Sequence, residues 1–290
     1  MFATKKRKPV KLLFQATAII LVVLLLVGCG GGAPSDKAKN ETDAAAQQGA
    51  PQRQDESPAE EQQEGKPEQL PDASISGSPA TPGEAYGAFV EAKGELVNRL
   101  LDALAGNPDT AMYSMTFLGL TMVDLTLIPI SSFGLGQAAA EMGLAFFNAE
   151  NVEYSESGKQ YSIKYRNNEG EECEVQGEYD KGADALKCAA KLNGKEIVRF
   201  EYRKTSFGYV SQTCTFGEDG AYVYLLSVSG RDGAVGIKQA EEDPPSLTGS
   251  ETIDFPKQCP EWFAIEGDKV TGVSSDGTEI SFVYTPAEDS

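Results

Sequence analysis

Downstream of residue 80, the first hydrophobic pattern is helical. Apolar residues recur three and four positions apart, at Tyr86, Phe89, Val90, Leu96, Val97, Leu100, Leu101 and Leu104. The preceding segment, Thr81-Pro82-Gly83-Glu84, has the form of a capping box with proline at the first helical position. Gly106 is placed to end the helix, and Asn107-Pro108 has the form of the cap and first residue of another. The pattern predicts an amphipathic helix followed closely by a second one.

The stretch from Thr110 to Phe147 is apolar on all sides and contains only two charged residues, Asp124 and Glu141. Pro129 and the serines after it should divide it into two helices. Because neither helix has a clean polar face, we expect both to be largely buried against the domain's own sheet. One alternative is that they line a cavity for a lipid or another apolar ligand. Insertion into a bilayer is least favoured, because Asp124 near the centre of a span would cost about 2.5 to 3.5 kcal/mol.

From Asn151 onward the pattern changes to period two, with turn signals every eight to twelve residues. This is typical of antiparallel strands, and we expect a meander of eight to ten. One hairpin can be placed in register. A two-residue turn at Asn193-Gly194 puts Cys188 opposite Arg199, whereas a three-residue loop with Gly194 as the bulge residue puts Cys188 opposite Val198. The second is expected, because it keeps apolar residues on one face.

These patterns predict an α+β domain over residues 83–290, with helices in 83–148 and strands in 151–286. Two to three N-terminal helices should pack on a large antiparallel β-meander sheet, with a half-barrel as one form of that sheet. Helices preceding a strand-rich half are similar in layout to the half-barrel lipid carriers of bacterial envelopes. That resemblance implies helices filling the mouth of a curved sheet, and it carries over no residue.

The N-terminus has the three parts of an export signal. A basic flank (Lys5, Lys6, Arg7, Lys8 and Lys11) precedes an apolar run from Leu12 to Val27. The run ends in Leu26-Val27-Gly28-Cys29, which resembles the lipobox of bacterial lipoproteins. The resemblance implies a signal peptide over 1–28, cleavage before Cys29 and lipidation of that cysteine, including palmitate. The protein would then be anchored in the cell membrane on its extracytoplasmic face.

An uncleaved transmembrane anchor is the alternative explanation of the same segment. Its apolar run is short, because a bilayer span needs about 20 apolar residues. In both cases the basic flank precedes the apolar run, so the remaining chain lies outside the cytoplasm.

Residues 29–82 should form a disordered acidic linker behind the lipidated Cys29. The segment 30–82 has ten acidic and four basic residues and no aromatic residue, so it has too little apolar surface to offset the entropy of ordering. As a flexible chain it would have a root-mean-square reach of about 40 Å. It should hold the domain away from the membrane.

Charge and composition exclude several functions. Without the five basic residues of the signal, 20 basic and 44 acidic residues remain, a net charge of −24 that disfavours nucleic-acid binding. The chain has no histidine, no G-x-S-x-G and no S-x-x-K, so the common nucleophilic and zinc sites are missing. We therefore expect no enzyme, cofactor or metal site. Gly134-Leu135-Gly136 fits part of a dinucleotide fingerprint, but close helix packing explains these small residues better.

Four cysteines follow Cys29, and an even number in an exported domain permits two disulfides. A Cys173–Cys188 bridge is expected across a hairpin, where it would contribute about 3 kcal/mol in the chain-entropy model. Cys214 with Cys259 is a weaker second pair. Four free buried thiols are the alternative.

Three functions are compatible with this sequence. The first is a non-enzymatic, membrane-anchored module that binds a protein or an envelope component. The second is a carrier or sensor of a lipid or another apolar ligand, with a pocket between the helices and the sheet. The third is a carboxylate-based hydrolase, because acidic residues are plentiful.

Overall fold

A computed structural model describes residues 79–217, 220–240 and 242–286. The predicted signal peptide, the lipobox residues Leu26, Val27 and Gly28, the lipidation site Cys29 and nearly all of the linker lie outside the described residues.

Three α-helices occur in the described part of the chain: α1 (Pro82–Gly106), α2 (Phe117–Leu127) and α3 (Gln137–Ala145). The predicted capping box is confirmed at the start of α1, where the Thr81 side chain accepts a hydrogen bond from the Glu84 backbone and the Glu84 side chain accepts one from Thr81 N at 3.1 Å. The helix predicted to start at Pro108 instead begins with a 3-10 segment, Ala111–Thr116. α2 ends at Leu127, and a second 3-10 segment, Ile128–Ser132, follows it, so the apolar stretch is divided around Pro129 as expected.

Within the described residues, eleven strands form one open antiparallel sheet in which each strand pairs with its neighbours in sequence. This exceeds the expected eight to ten and gives an α+β fold. The strands are β1 (Glu150–Ser157), β2 (Gln160–Arg166), β3 (Glu172–Asp180), β4 (Ala185–Leu192), β5 (Lys195–Lys204), β6 (Tyr209–Gly217), β7 (Gly220–Ser229), β8 (Asp232–Ala240), β9 (Glu261–Glu266), β10 (Lys269–Val273) and β11 (Glu279–Val283).

One face of the sheet shares a hydrophobic core with the helices. The Phe89 ring of α1 stacks on the Tyr202 ring of β5, with ring centroids 4.8 Å apart and an interplanar angle of 3°. Phe117 of α2 contacts Phe263 of β9 at 5.8 Å between centroids. Both pairs belong to one buried cluster that extends from α1 to β11. We call this the helix face of the sheet.

The opposite face is covered in its centre by the segment between β8 and β9, residues 242–260, which we call the strap. Cys259 of the strap joins Cys214, Val223 and Leu225 in a second buried cluster. Arg203 Nη1 of β5 donates a hydrogen bond to Thr248 O of the strap at 2.6 Å. The central strands are therefore covered on both faces. We call this side the strap face.

The expected register of the β4–β5 hairpin is wrong. Asn193 and Gly194 both have positive φ, 50° and 77°, and form a two-residue turn. Ile197 is then bulged out, because the register shifts between Ala190 and Lys191, and Cys188 lies opposite Phe200. The apolar residues do share one face, as expected, but a bulge within the strand produces this arrangement rather than a longer loop.

The expected Cys173–Cys188 disulfide does not agree with the β3–β4 register. Cys173 lies opposite Leu192 and Cys188 lies opposite Gly177, four positions apart along the strand. That offset is about 13 Å, whereas bridged cysteines have Cα atoms within about 7 Å of each other. Both cysteines, like Cys214 and Cys259, are free thiols.

A longer hairpin loop than expected causes this offset. Asp180 pairs with Ala185, which leaves a four-residue loop over 181–184. The Asp180 carboxylate accepts hydrogen bonds from the backbone N–H groups of Gly182 and Ala183, at 2.9 and 3.3 Å. This Asx-type turn fixes the register.

The expectation that both helices of 110–147 are largely buried is also wrong. In α2 only Phe117, Leu120, Val123 and Leu127 are buried. In α3 only Ala140 and Leu144 are buried. Within the described residues, one helical segment, Ala111–Ser132, is long and apolar enough to cross a membrane by length and composition alone, and 22% of an 18-residue window within it is buried. These helices bury a stripe and leave apolar residues in solvent.

The four thiols should all be modified by iodoacetamide after unfolding without a reductant. In the folded protein at pH 8, Cys173 should react first, because it alone is only half-buried. Burial raises the pKa of Cys214 and of Cys259 to about 11 and raises that of Cys188 as well, so few of these thiols ionise. Peptide mass spectrometry measures the order, and a pair that stays unmodified after unfolding would contradict the free-thiol structure.

Candidate functional site

Five polar side chains form a continuous row across the strap face of strands β2 to β6. In each pair of neighbouring strands the two members are direct cross-strand partners. The residues of this polar row are Gln160, Glu178, Lys187, Glu201 and Gln212. With neighbouring strands about 4.8 Å apart, the row is about 19 Å long. Side chains alternate between the faces of a sheet, so the residues on either side of each member lie on the helix face.

The polar row is linked internally by hydrogen bonds and an ion pair. Gln160 Nε2 donates to Glu178 Oε2 at 2.9 Å. At the other end, Gln212 Nε2 donates to Glu201 Oε2 at 3.2 Å. Lys187 Nζ lies 3.5 Å from Glu201 Oε1. The side chains of the row are thus positioned by one another as well as by the sheet.

The strap forms a wall along the buried end of the row. Leu247 N donates to Glu201 Oε2 at 3.1 Å, and Gln212 Nε2 donates to Pro245 O at 2.9 Å. Lys187 Nζ donates to Ser246 Oγ at 3.0 Å. These bonds attach three consecutive strap residues to three members of the row.

A cleft of about 330 Å³ lies between this wall and the strands. All five members of the polar row line it, together with Gln176, Arg199, Pro244 and Ser246 among others. Glu201 and Gln212 are buried, whereas Gln160, Glu178 and Lys187 are exposed. The cleft therefore has a rigid inner end and an accessible outer end.

Arg199, two residues before Glu201 on β5, also attaches the strap to the sheet. Its Nη1 lies 3.0 Å from Asp243 Oδ2 of the strap, and its Nε lies 2.9 Å from Glu196 Oε1. The hydrogen bond that Arg199 donates to Asp243 is the main cause of a raised Arg199 pKa, so the guanidinium stays charged. With Lys187 it balances Glu178 and Glu201, and the four charged residues lining the cleft sum to zero.

Glu201 holds structure in place rather than presenting a free carboxylate. Oε2 accepts hydrogen bonds from Gln212 and Leu247. Oε1 accepts no hydrogen bond from the described residues and faces the Lys187 ammonium. With both oxygens oriented inward, Glu201 has none directed at a molecule in the cleft.

Sequence reasoning singled out no member of the polar row. The residues it did single out lie elsewhere: Cys188 is in the helix-face core, and Cys173 lines another cleft, formed mainly by β1, β2 and β3. The alternation of polar and apolar residues places the row on one face. However, only the hairpin registers bring its members opposite one another.

The glycines of the dinucleotide-like motif shape a turn. Gly134 and Gly136 have φ of 79° and 85° and precede α3. Gln137, the first residue of α3, donates to Val152 O at 2.6 Å and accepts from Tyr154 N at 2.7 Å. The motif therefore serves to dock α3 on the edge strand β1.

Comparisons of the chain with family models, curated proteins and solved structures give no match. The functional argument therefore rests on the geometry of this chain.

Replacing Glu201 by Ala should loosen the strap. The change leaves the Leu247 N–H and the Gln212 amide without their acceptor, and we expect a loss of about 1 to 3 kcal/mol in the free energy of unfolding. Urea denaturation measures this loss, and hydrogen exchange at Leu247 should become faster. Glu178→Ala, an exposed member of the same row, is the control and should change stability by less than about 0.5 kcal/mol. Equal losses in the two variants would contradict the assigned role of Glu201.

Proposed function

We propose that this protein is a lipoprotein anchored at Cys29 on the extracytoplasmic face of the cell membrane. Its domain acts as a non-enzymatic binding module for an envelope component, and the ligand is a neutral, hydroxyl-rich glycan that lies in the strap-face cleft. The observation that carries the proposal is the polar row with the strap attached along its inner end.

The chemistry of the row suits hydroxyl groups. From one end to the other it presents amide, carboxylate, ammonium, carboxylate and amide groups, which include both donors and acceptors. A hydroxyl group donates and accepts, so it can pair with the exposed outer members, Gln160, Glu178 and Lys187. Because the charges lining the cleft cancel, a strongly charged ligand gains no net attraction there, and a neutral one is favoured.

The length of the row favours an extended ligand over a compact one. Its outer members, Gln160, Glu178 and Lys187, are exposed on neighbouring strands and can each contact a different part of the ligand. The inner members are committed to the strap and define where the ligand ends. Small pockets typically recognise ligands with a few well-placed polar groups of this kind.

The apolar-ligand carrier is less well supported by the geometry. The helix–sheet interface contains packed rings and aliphatic side chains, including Phe89, Phe117, Phe133 and Phe263. Three described clefts lie on the strap face, at the β2–β3 edge and beside α1, and none is lined by a residue of 110–147. We also propose that the sheet curves into a half-barrel, with the helices packed on its helix face.

The hydrolase is disfavoured by the state of Glu201. Glu178 and Glu201 lie on strands separated by one strand, about 10 Å apart at their Cα atoms. A glycosidase needs one carboxyl group that gives a proton and one that attacks or activates water. Glu201 is buried, with its oxygens directed at Gln212, Leu247 and Lys187, so binding fits the pair better than catalysis.

Cys29→Ser should abolish lipidation and cleavage together, because the sulfur is the acyl acceptor. Palmitate labelling of bacterial cells that express the full chain should mark the natural sequence and leave the variant unlabelled. Mass spectrometry of the labelled product should find residue 29 at its N-terminus. Cys173→Ser is the matched control and should keep the label. Labelling that persists in Cys29→Ser would refute the anchor.

Removing outer members of the row should weaken glycan binding without unfolding the protein. For the full mature chain titrated with a neutral N-acetylglucosamine oligomer, Gln160→Ala combined with Glu178→Ala should raise Kd about tenfold or more, since each lost hydrogen bond contributes about 1 kcal/mol. Glu279→Ala, an exposed change on β11, should leave Kd unchanged. Calorimetry gives the constants. Saturable binding whose Kd is unchanged by the two cleft substitutions would mean that the glycan binds elsewhere.

A further inference from the structure

The helical side of the domain exposes large apolar side chains to solvent. Four of the five methionines in the sequence are among them. We call these residues the methionine surface: Met112, Met115, Leu118, Met122, Met142 and Phe146. Met112 and Met142 are 72% and 77% exposed. Six apolar side chains of this size left in solvent on the helical segments indicate an interaction site.

The spacing of these residues puts them on the outer sides of their helices. Met115, Leu118 and Met122 follow one another at three and four positions, so they form a stripe along one side of the helical segment. Met142 and Phe146 have the same four-residue spacing at the end of α3. The opposite side of α2, with Phe117, belongs to the core. The segment that contains α2 is therefore apolar on both its inner and its outer side, whereas α3 exposes Glu141 beside Met142.

The one charged residue of α2, Asp124, faces α1. Asp124 forms an ion pair with Lys93 of α1, which is itself buried and whose ammonium lies 6.0 Å from the Phe89 ring centroid. The outer stripe consequently carries no charge. A bilayer span is still unsuitable, because it would separate the buried Phe117 of α2 from Phe263 of the sheet. A surface position is suitable, since only the outer stripe would enter the lipid.

We propose that the methionine surface rests on the bilayer that holds the lipid anchor, with its side chains at the boundary of headgroups and acyl chains. The inference rests on the proposed anchor at Cys29. Flexible, polarisable methionine side chains suit a fluid apolar medium. Segment 110–147 contains no Lys or Arg, so the contact is apolar rather than an attraction to anionic headgroups.

The place where the N-terminal segment enters the domain supports this occupant. Residues 79–81 lead into α1 next to the loop before α3, where Gly83 N donates to Phe133 O at 3.0 Å. Leu135 in that loop is itself 50% exposed. The linker behind Cys29 therefore joins the domain on its helical side. An attached chain raises the effective concentration of the membrane at this surface, so a weak apolar contact is sufficient.

A second copy of the protein is a less suitable occupant. The mature chain has a net charge of −24, which repels a second copy. It also repels anionic headgroups, so contact with the bilayer must come from the apolar side chains and the proposed tether. Docking the helical side on the bilayer also leaves the polar row, on the opposite face of the sheet, directed away from the membrane. The two surfaces are thus compatible with each other.

Tryptophan fluorescence in vesicles tests the proposal. The lipidated full chain would be purified from bacterial membranes and reconstituted in vesicles of phosphatidylcholine and phosphatidylglycerol, with or without bromine on the acyl chains. Trp262, the single tryptophan, is first replaced by Phe. The reporter is then Met122→Trp, and the matched control is Val283→Trp, at a position 73% exposed on the strap face.

Brominated lipid should reduce emission at position 122 about twofold or more, because the ring enters the acyl boundary, and should leave emission at position 283 unchanged. Adding Met112→Gln and Met115→Gln should weaken the quenching at 122. Equal emission in both kinds of vesicle would overturn the proposal. So would emission at 122 that shifts only with protein density, which would mean that a second copy covers the surface. A missing anchor gives a different result: the protein would not float with the vesicles at all.

Discussion

An open antiparallel sheet has two faces, and in this protein the central strands carry apolar residues on both. The chain must therefore supply two covers. Strand β5 shows how this is done: Phe200 and Tyr202 face the helices, and Glu201 between them faces the strap. Alternation along a single strand thus joins the aromatic core under α1 to the polar attachment of the strap. The cleft lies between the strap, whose described hydrogen bonds reach Lys187 on β4, and the outer strands β2 and β3.

Local patterns in the sequence predicted the parts of the fold that depend on neighbours in the chain. The capping box at Thr81, the break at Pro129 and the period-two alternation after Asn151 each involve a few adjacent residues. The registers depend on more than that. At Asn193 the turn alone would mismatch the faces of β4 and β5, and the bulge at Ile197 restores them. The bulge keeps the apolar side chains of β5 on the face that packs against α1. No short sequence pattern predicts it.

The polar row could not be predicted for the same reason. Its five members come from five strands, and each of four hairpins must have the observed register for them to line up. One loop residue more or fewer shifts a strand and moves its side chain to the other face. The strap could not be predicted either, because residues 242–260 have no periodic pattern. Its position is fixed by contacts with Glu201, Gln212 and Arg199 on the strands beneath it.

The Lys93–Asp124 pair contributes to a chemical difference between the helical side and the strap side of the domain. Burial raises the pKa of Asp124, and the Lys93 ammonium opposes that rise, so each charge depends on the other for solvation lost inside the fold. Their pairing leaves the outside of α2 without a charge, while Arg199, Lys187 and their acidic partners concentrate ionic groups around the strap. The two sides of the domain thereby differ in chemistry. With the proposed anchor, the domain can turn either side toward the membrane, and this difference provides the physical basis for a preferred orientation.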